Sequence, residues 1–330
     1  MDTISLVHGE GGKHTQQLIK ELFYKEFSND NLLKDKDAAV LSLETQSIAF
    51  TTDSFVVNPL FFPGGDIGRL CISGTVNDLV TSFSIPKYIS LSLIIEEGFS
   101  FKALKEIVAS IKKTSEEAGV TIVTGDTKVV EKDKVDGVFI NTSGIGIIAH
   151  SLKDIIKSGD KIIITSNIAE HGTAIASSRY GLEVIGDIKS DVAPLNDLIS
   201  VLWDYREYIR LLKDPTRGGV AQCFNEIASK YSVGLNILEY KIPIRKEVKA
   251  LNGIIGLDPY YLASEGVMVL IADGPMAIDI VQQLNKDEKY KNAAIIGEVT
   301  EGHKKVVLEN SHGGKHVLRE LEGVMLPRIC

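Results

Sequence analysis

Residues 101–118 constrain the fold more than any other stretch of this chain. Leu104, Ile107, Val108 and Ile111 recur at helical spacing, Lys102, Lys105 and Lys112 fall on the other side, and Gly119 follows. Such an apolar stripe must be covered by a sheet or another helix, and a glycine just past its end stops it. Ile89-Ser-Leu-Ser-Leu-Ile-Ile, before the helix, alternates with period two, and the apolar run Val120-Thr-Ile-Val comes after it. Strand, amphipathic helix and strand predict an α/β layer. A β-rich segment at 47–54, a helix over 66–83 and a strand over 137–148 extend it.

The segment 151–160 reads as a connector into a second unit, which Lys161-Ile-Ile-Ile-Thr opens as a buried strand. Helices are expected near 172–180, 218–230, 245–252 and 276–285, and strands at 235–238, 267–271, 293–296 and 305–308. The economical organisation is an N-terminal domain over 1–150, a C-terminal α+β domain over 151–310 and a flexible tail over 311–330. Gly313-Gly314 can act as a hinge into that tail, and Pro327 restricts the chain near its end.

At 330 residues the chain is long enough for two cores. A formal net charge of −8 argues against nucleic acid or an anionic membrane as the main partner. No apolar run approaches the ~20 residues of a spanning helix. Cys71, Cys223 and Cys330 are the three cysteines, none near another, so neither a disulfide framework nor a zinc site is expected. That usage suits a reducing compartment, and with no leader-like N-terminus a cytoplasmic enzyme is the expectation.

The most suggestive single residue is the last one. A thiol at the free end of a chain can be carried into a distant pocket and withdrawn; the bland alternative is a spare cysteine on a frayed terminus. Four aspartates sit at the ends of apolar elements in the first half: Asp37, Asp53, Asp78 and Asp126, each flanked by Thr, Asn, Gly or Lys. Converging carboxylates need a cation, and hard oxygen ligands suit Mg²⁺ bridged to phosphates. Each one singly is as well explained as a cap or turn residue, Asp126 after Gly125 especially. His8-Gly-Glu-Gly11-Gly12-Lys13 precedes a helix, where backbone N–H groups can close on an anion. Gly144-Ile-Gly-Ile-Ile-Ala149 resembles a dinucleotide fingerprint, but no helix follows, so its glycines are assigned to a strand. Asp214-Pro-Thr-Arg-Gly218-Gly219-Val opens a helix, with Asp214 as its cap and Pro215 at the first position. Glu265, before an apolar strand, is a turn residue or a shielded base. His150, His171 and His303 look like ordinary surface or capping groups, and Cys71 and Cys223 look packed.

Taken together these segments resemble the HypE family of hydrogenase maturation factors, the carbamoyl dehydratases, within the PurM-like superfamily of aminoimidazole ribonucleotide synthetase. The resemblance runs nearly full length. It rests on His8-Gly-Glu-Gly-Gly, Thr51-Thr52-Asp53-Ser through Arg69, Gly74-Thr-Val-Asn77-Asp78, Gly125-Asp126-Thr-Lys128, the Asp214 segment and terminal Pro327-Arg-Ile-Cys330. Lys36 stands where many superfamily members pair two aspartates, which puts that neighbour's contribution in doubt. The resemblance implies a two-domain fold, mixed α/β and α+β, that forms a homodimer through the N-terminal sheet. ATP would bind between domains, with Gly11, Gly12, Thr52, Asn77, Gly218 and Gly219 as cofactor-binding residues and Asp37, Asp53, Asp78 and Asp126 holding Mg²⁺. The carbamoyltransferase HypF would load Cys330. Glu265 and Lys128 would assist dehydration of the carbamoyl group to a thiocyanate, and the cyanide would pass to iron on a HypC–HypD complex. The alternatives are a small-molecule ATP-dependent synthetase or kinase, or a non-enzymatic thiol carrier.

Overall fold

The computed structural model describes residues 3–8, 13–34, 41, 47–182, 187–323 and 325–330. Asp37, Gly11, Gly12 and most of the glycine-rich motif after His8 lie outside the described residues.

Among the described residues the N-terminal sheet has four strands: β1 (Ile48–Phe55), β2 (Ser84–Glu96), β3 (Thr121–Val130) and β4 (Val138–Ile148), in the order β1-β4-β2-β3. β4 pairs antiparallel with β1 and β2, and β2 runs parallel to β3. The β2–β3 crossover is helix α2 (Phe101–Ala118), capped by the Ser100 hydroxyl and ended by Gly119 at φ 65°. Leu91, Leu93 and Ile95 of β2 are buried on the same side as Leu104, Ile107, Val108 and Ile111 of α2. Beside α2, against β1, β4 and β2, packs α1 (Ile67–Thr81), which is buried almost all round. Asp66 caps it, accepting from Gly68 N–H at 2.7 Å and Arg69 N–H at 3.0 Å.

β3 extends past the expected turn. Gly125 and Asp126 are in the strand, and a Cβ at Gly125 would lie 2.4 Å from the Leu91 carbonyl oxygen. The glycine permits close approach of neighbouring backbones, not a reversal. Gly144 and Gly146 lie within β4, in line with the strand assignment.

The C-terminal sheet has seven strands among the described residues: β5 (Lys161–Ile164), β6 (Ile209–Lys213), β7 (Gly234–Leu238), β8 (Val269–Ala272), β9 (Ala294–Thr300), β10 (Val306–Glu309) and β11 (Lys315–Val317). The order is β11-β10-β7-β9-β5-β8-β6. Helices α3 (Glu170–Arg179), α4 (Gly219–Tyr231), α5 (Lys246–Ile255) and α6 (Ala277–Leu284) accompany it. Gly313, at φ 80°, turns the β10–β11 hairpin. The Gly313-Gly314 pair is therefore a hairpin turn within the sheet, not a hinge, and the chain leaves the sheet only after Val317.

The domains are joined by polar contacts as well as apolar ones. The buried Asn77 amide donates to the carbonyls of Ala193 and Glu265, both at 3.1 Å, and its oxygen accepts from Leu195 N–H at 2.8 Å. Arg69 reaches the Val192 carbonyl at 2.8 Å. The other face of the N-terminal sheet has no layer over it among the described residues. It exposes Ile48, Phe50 (68% exposed), Ile85 and Ile94. Among the described residues no helix is long and apolar enough to cross a membrane.

Candidate active site

The end of β1, the C-terminal half of α1 and the segment before α4 converge on a cavity of about 380 Å³. Thr52, Asp53, Asp78, Asp214, Thr216, Arg217, Gly219, Cys223, Glu265 and Cys330 line it. Each carboxylate arrives on a different element. Asp53 is carried by β1 and faces α1, where a Cβ at Gly74 would come within 3.7 Å of its Oδ2. Asp78, near the end of α1, accepts from the Thr51 hydroxyl at 2.8 Å. Asp214 follows β6 directly, and Glu265 sits in the loop before β8.

Asp214 is not a helix cap. α4 starts at Gly219, behind Gly218 at φ 76°, leaving Asp214 free to face the cavity. Gly219 is required by close approach, since a Cβ there would meet the Tyr260 carbonyl oxygen at 2.5 Å.

Burial outweighs the nearby cations Arg217 and Lys213 in setting the electrostatics. Desolvation raises Asp53, Asp78, Asp214 and Glu265 above the usual carboxylate range. Asp78 reaches about 6, pushed by burial and then by Asp214. Glu265, 2% exposed, is raised most, by burial and then by Asp214, Asp191, Asp53 and Asp78. Its Oε1 has no hydrogen-bond partner among the described residues. Burial and the nearby Glu265 likewise push the Cys330 thiol up. These carboxylates fit a cation shared with an anionic ligand. Among the described residues no three His, Cys, Asp or Glu groups gather closely enough to enclose a metal ion. Mg²⁺ is commonly held by one or two carboxylates and completed by phosphate and water oxygens.

A second cavity of about 830 Å³ shares Asp78, Lys213, Asp214 and Glu226 with the first. Ile148, Leu152, Leu211, Ile227 and Tyr231 give it apolar walls, and the buried Tyr231 hydroxyl has no partner among the described residues.

The other expected residues are placed differently. Asp126 and Lys128 lie on the exposed sheet face, 58% and 62% exposed, and pair with each other at 3.1 Å, away from the cavity. Asn77 spends its amide on the domain contact and does not line the cavity. Gly218 borders the tail groove. Cys71 is packed, whereas Cys223, equally buried, touches the cavity. His171 is no surface group; it is fully buried and bonded to the Ile329 carbonyl.

The Cys330 thiol and the carboxylates occupy one cavity. Residues 35–148 match the family described as AIR synthase related protein, N-terminal domain, and 157–309 match its C-terminal domain. The carbamoyl dehydratase HypE of Azotobacter vinelandii is 41% identical over 99% of this chain and 97% of its own. A crystal structure of the hydrogenase maturation protein HypE in complex with ATP superposes with a TM-score of 0.96 at 41% identity, covering 99% of this chain and 100% of that one. A HypE–HypF complex gives a TM-score of 0.81 at 43% identity, covering 92% and 99%. The chain belongs to the HypE family of carbamoyl dehydratases. It has that family's two-domain PurM-like fold.

Asp214, Arg217 and His171 escaped the sequence reading as site residues. The Asp-Pro-Thr-Arg-Gly-Gly segment signalled the first two, because two consecutive glycines rarely serve a cap only. His171, isolated in sequence, carried no signal.

Proposed function

We propose that this protein dehydrates an S-carbamoyl group on its own Cys330 to a thiocyanate at the expense of ATP, supplying cyanide for the iron of a [NiFe]-hydrogenase. The observation that carries the proposal is the seating of the terminal thiol in the carboxylate-lined cavity. The high proton affinity of that thiol supports an acylated sulfur there, since a free thiolate is disfavoured. The HypE–HypF complex supports HypF as the partner that loads the carbamoyl group. A HypC–HypD complex is the expected receiver of the cyanide.

The carboxamide oxygen attacks the γ-phosphorus of ATP, ADP leaves, and one N–H proton is released. The resulting imidate phosphate, S–C(=NH)–O–PO₃²⁻, loses its remaining N–H proton and phosphate to give S–C≡N. An oxygen that is a poor leaving group thereby departs as phosphate. Glu265 takes protons from nitrogen; burial among other carboxylates makes it a stronger base than an exposed glutamate. Arg217 and Thr216 line the cavity where phosphate oxygens would lie, and the second cavity offers apolar room for the nucleoside. Asp53 and Asp78 would hold Mg²⁺, which would neutralise phosphate charge. Burial keeps water from the imidate. The exposed sheet face, with Phe50 on its edge strand, suits a second copy of the chain, and a homodimer there would place Asp126 and Lys128 against another chain's surface. We expect the enzyme to work in the cytoplasm.

The test is phosphate release on addition of ATP to HypF-loaded protein. One phosphate per carbamoyl group is expected, and none from a Cys330→Ala protein treated identically. Equal release from both would mean ATP turnover that does not use the terminal thiol and would overturn the proposal.

A further inference from the structure

The end of the chain is gripped by its backbone. Val56 N–H donates to the Cys330 carbonyl at 3.1 Å and Asn58 N–H to that of Arg328 at 3.2 Å. The Arg179 guanidinium donates to the carbonyls of Asn58, Pro327 and Arg328. His171 Nε2 lies 2.7 Å from the Ile329 carbonyl oxygen, and Nδ1 lies 2.7 Å from the Ser190 hydroxyl.

The protons can be assigned from the partners. A carbonyl oxygen only accepts, so Nε2 carries the hydrogen and Nδ1 holds a lone pair. Ser190 then donates to Nδ1 while accepting from Val192 N–H at 3.1 Å. Burial lowers His171 to about 4, so the ring is neutral near pH 7 and donates through one nitrogen only.

The next link reaches Glu265. Asp191 accepts from His171 N–H at 3.0 Å, from Glu265 N–H at 3.2 Å and from Gly266 N–H at 3.3 Å. One half-buried carboxylate thus anchors both the residue that holds the tail and the residue that faces the thiol. The Ile329 side chain adds an apolar plug over Gly172, where a Cβ would stand 3.3 Å from its Cδ1.

We propose that Arg179 and His171 are positioning residues: a latch that reads the main-chain carbonyls of residues 327–329, seats Cys330 against Glu265, and opens when the tail leaves. This rests on the assignment of Cys330 as the reacting side chain. Carbonyl bonds suit a reversible latch, because water replaces them when the tail withdraws, whereas a large apolar plug would hold it shut. The guanidinium fork matters because one side chain engages several carbonyls at once. The outer Arg328–Asp136 pair, at 2.7 Å on the surface, adds little.

The full-length protein, without ATP, is exposed to iodoacetamide at fixed pH, and alkylation of Cys330 is followed from the mass of its C-terminal peptide. Arg179→Ala is expected to react at least tenfold faster than wild type. Arg179→Lys, which keeps charge but loses the fork, should fall between. His171→Leu carries the same prediction independently, and His171→Gln, which keeps an N–H donor, should stay near wild type. Thermal stabilisation by ATP checks that each variant is folded. After loading by HypF, Arg179→Ala should lose water at least tenfold more slowly, with the KM for ATP unchanged. Equal alkylation rates in wild type, Arg179→Ala and His171→Leu would overturn the latch. Failure of loaded wild type to lose water would sink the functional assignment and leave the alkylation result standing.

Discussion

Two sets of charged residues in this molecule have similar chemistry and opposite surroundings. Asp53, Asp78, Asp214 and Glu265 are drawn from four segments into one cleft, where burial raises all of them. Asp126 and Lys128 share one strand, stand in water and neutralise each other. The first set costs stability until a cation arrives; the second is an exposed pair worth about 0–1 kcal/mol by itself. A folded chain keeps such a carboxylate cluster where ligand binding repays its burial. The strand pair becomes useful only when another surface covers it.

The largest effect should come from inside the cleft. Glu265→Gln removes the proton acceptor and nearly preserves volume, so water loss in a single turnover should slow by about 10²–10⁴-fold. ATP binding, measured by calorimetry, should remain. Near-normal dehydration would remove Glu265 from its role.

On the exposed side, Lys128→Ala should slow turnover by about 10²-fold if Lys128 acts as a cationic clamp. An unchanged rate would make it a solvated surface residue. Mixing Lys128→Ala with Glu265→Gln chains sharpens the distinction. If each site uses Glu265 of one chain and Lys128 of another, mixed dimers regain one intact site and activity returns. Absence of recovery would confine the site to a single chain.

Proton competition gives a smaller effect. A carboxyl must be charged to take a cation, so affinity for Mg²⁺ and ATP should weaken as pH falls through about 6, the value reached by Asp78. The decline should be at most about tenfold per pH unit for each proton displaced. Asp78→Asn should flatten it.

Asp191 separates burial from catalysis, since it is raised to about 7 without lining the cavity. Between its ordinary value of 3.8 and about 7 the folded protein holds a proton that the unfolded chain has released. Stability should therefore fall as pH rises through that window, by on the order of 1 kcal/mol per pH unit, and level off above it. Urea unfolding at several pH values checks this, and Asp191→Asn should remove the share of the slope that Asp191 contributes.

What could be read from sequence follows from how local each signal is. α2 was legible to the residue because its stripe, its Ser100 cap and Gly119 lie together in the chain. β6 was missed because Ile-Arg-Leu-Leu-Lys carries two cations and reads as polar, although its partner β8 is fully buried. β3 was cut short because Gly125-Asp126 imitates a turn, and only the neighbouring Leu91 carbonyl explains the glycine. Asp53, Asp78, Glu265 and Cys330 were named from motifs, yet their meeting depends on how the domains close. Asp214 was mistaken for a cap because Asp-Pro before a helix imitates one, and His171 could not be found because its partner lies 158 residues away.

The central claim is that the chain is its own substrate. The direct measurement is the mass of the C-terminal peptide of HypF-loaded protein before and after ATP. The account predicts one carbamoyl group on Cys330 that then loses one water, with no change when ATP is withheld. A carbamoyl group that persists with ATP present, or water loss from a peptide lacking Cys330, would contradict it.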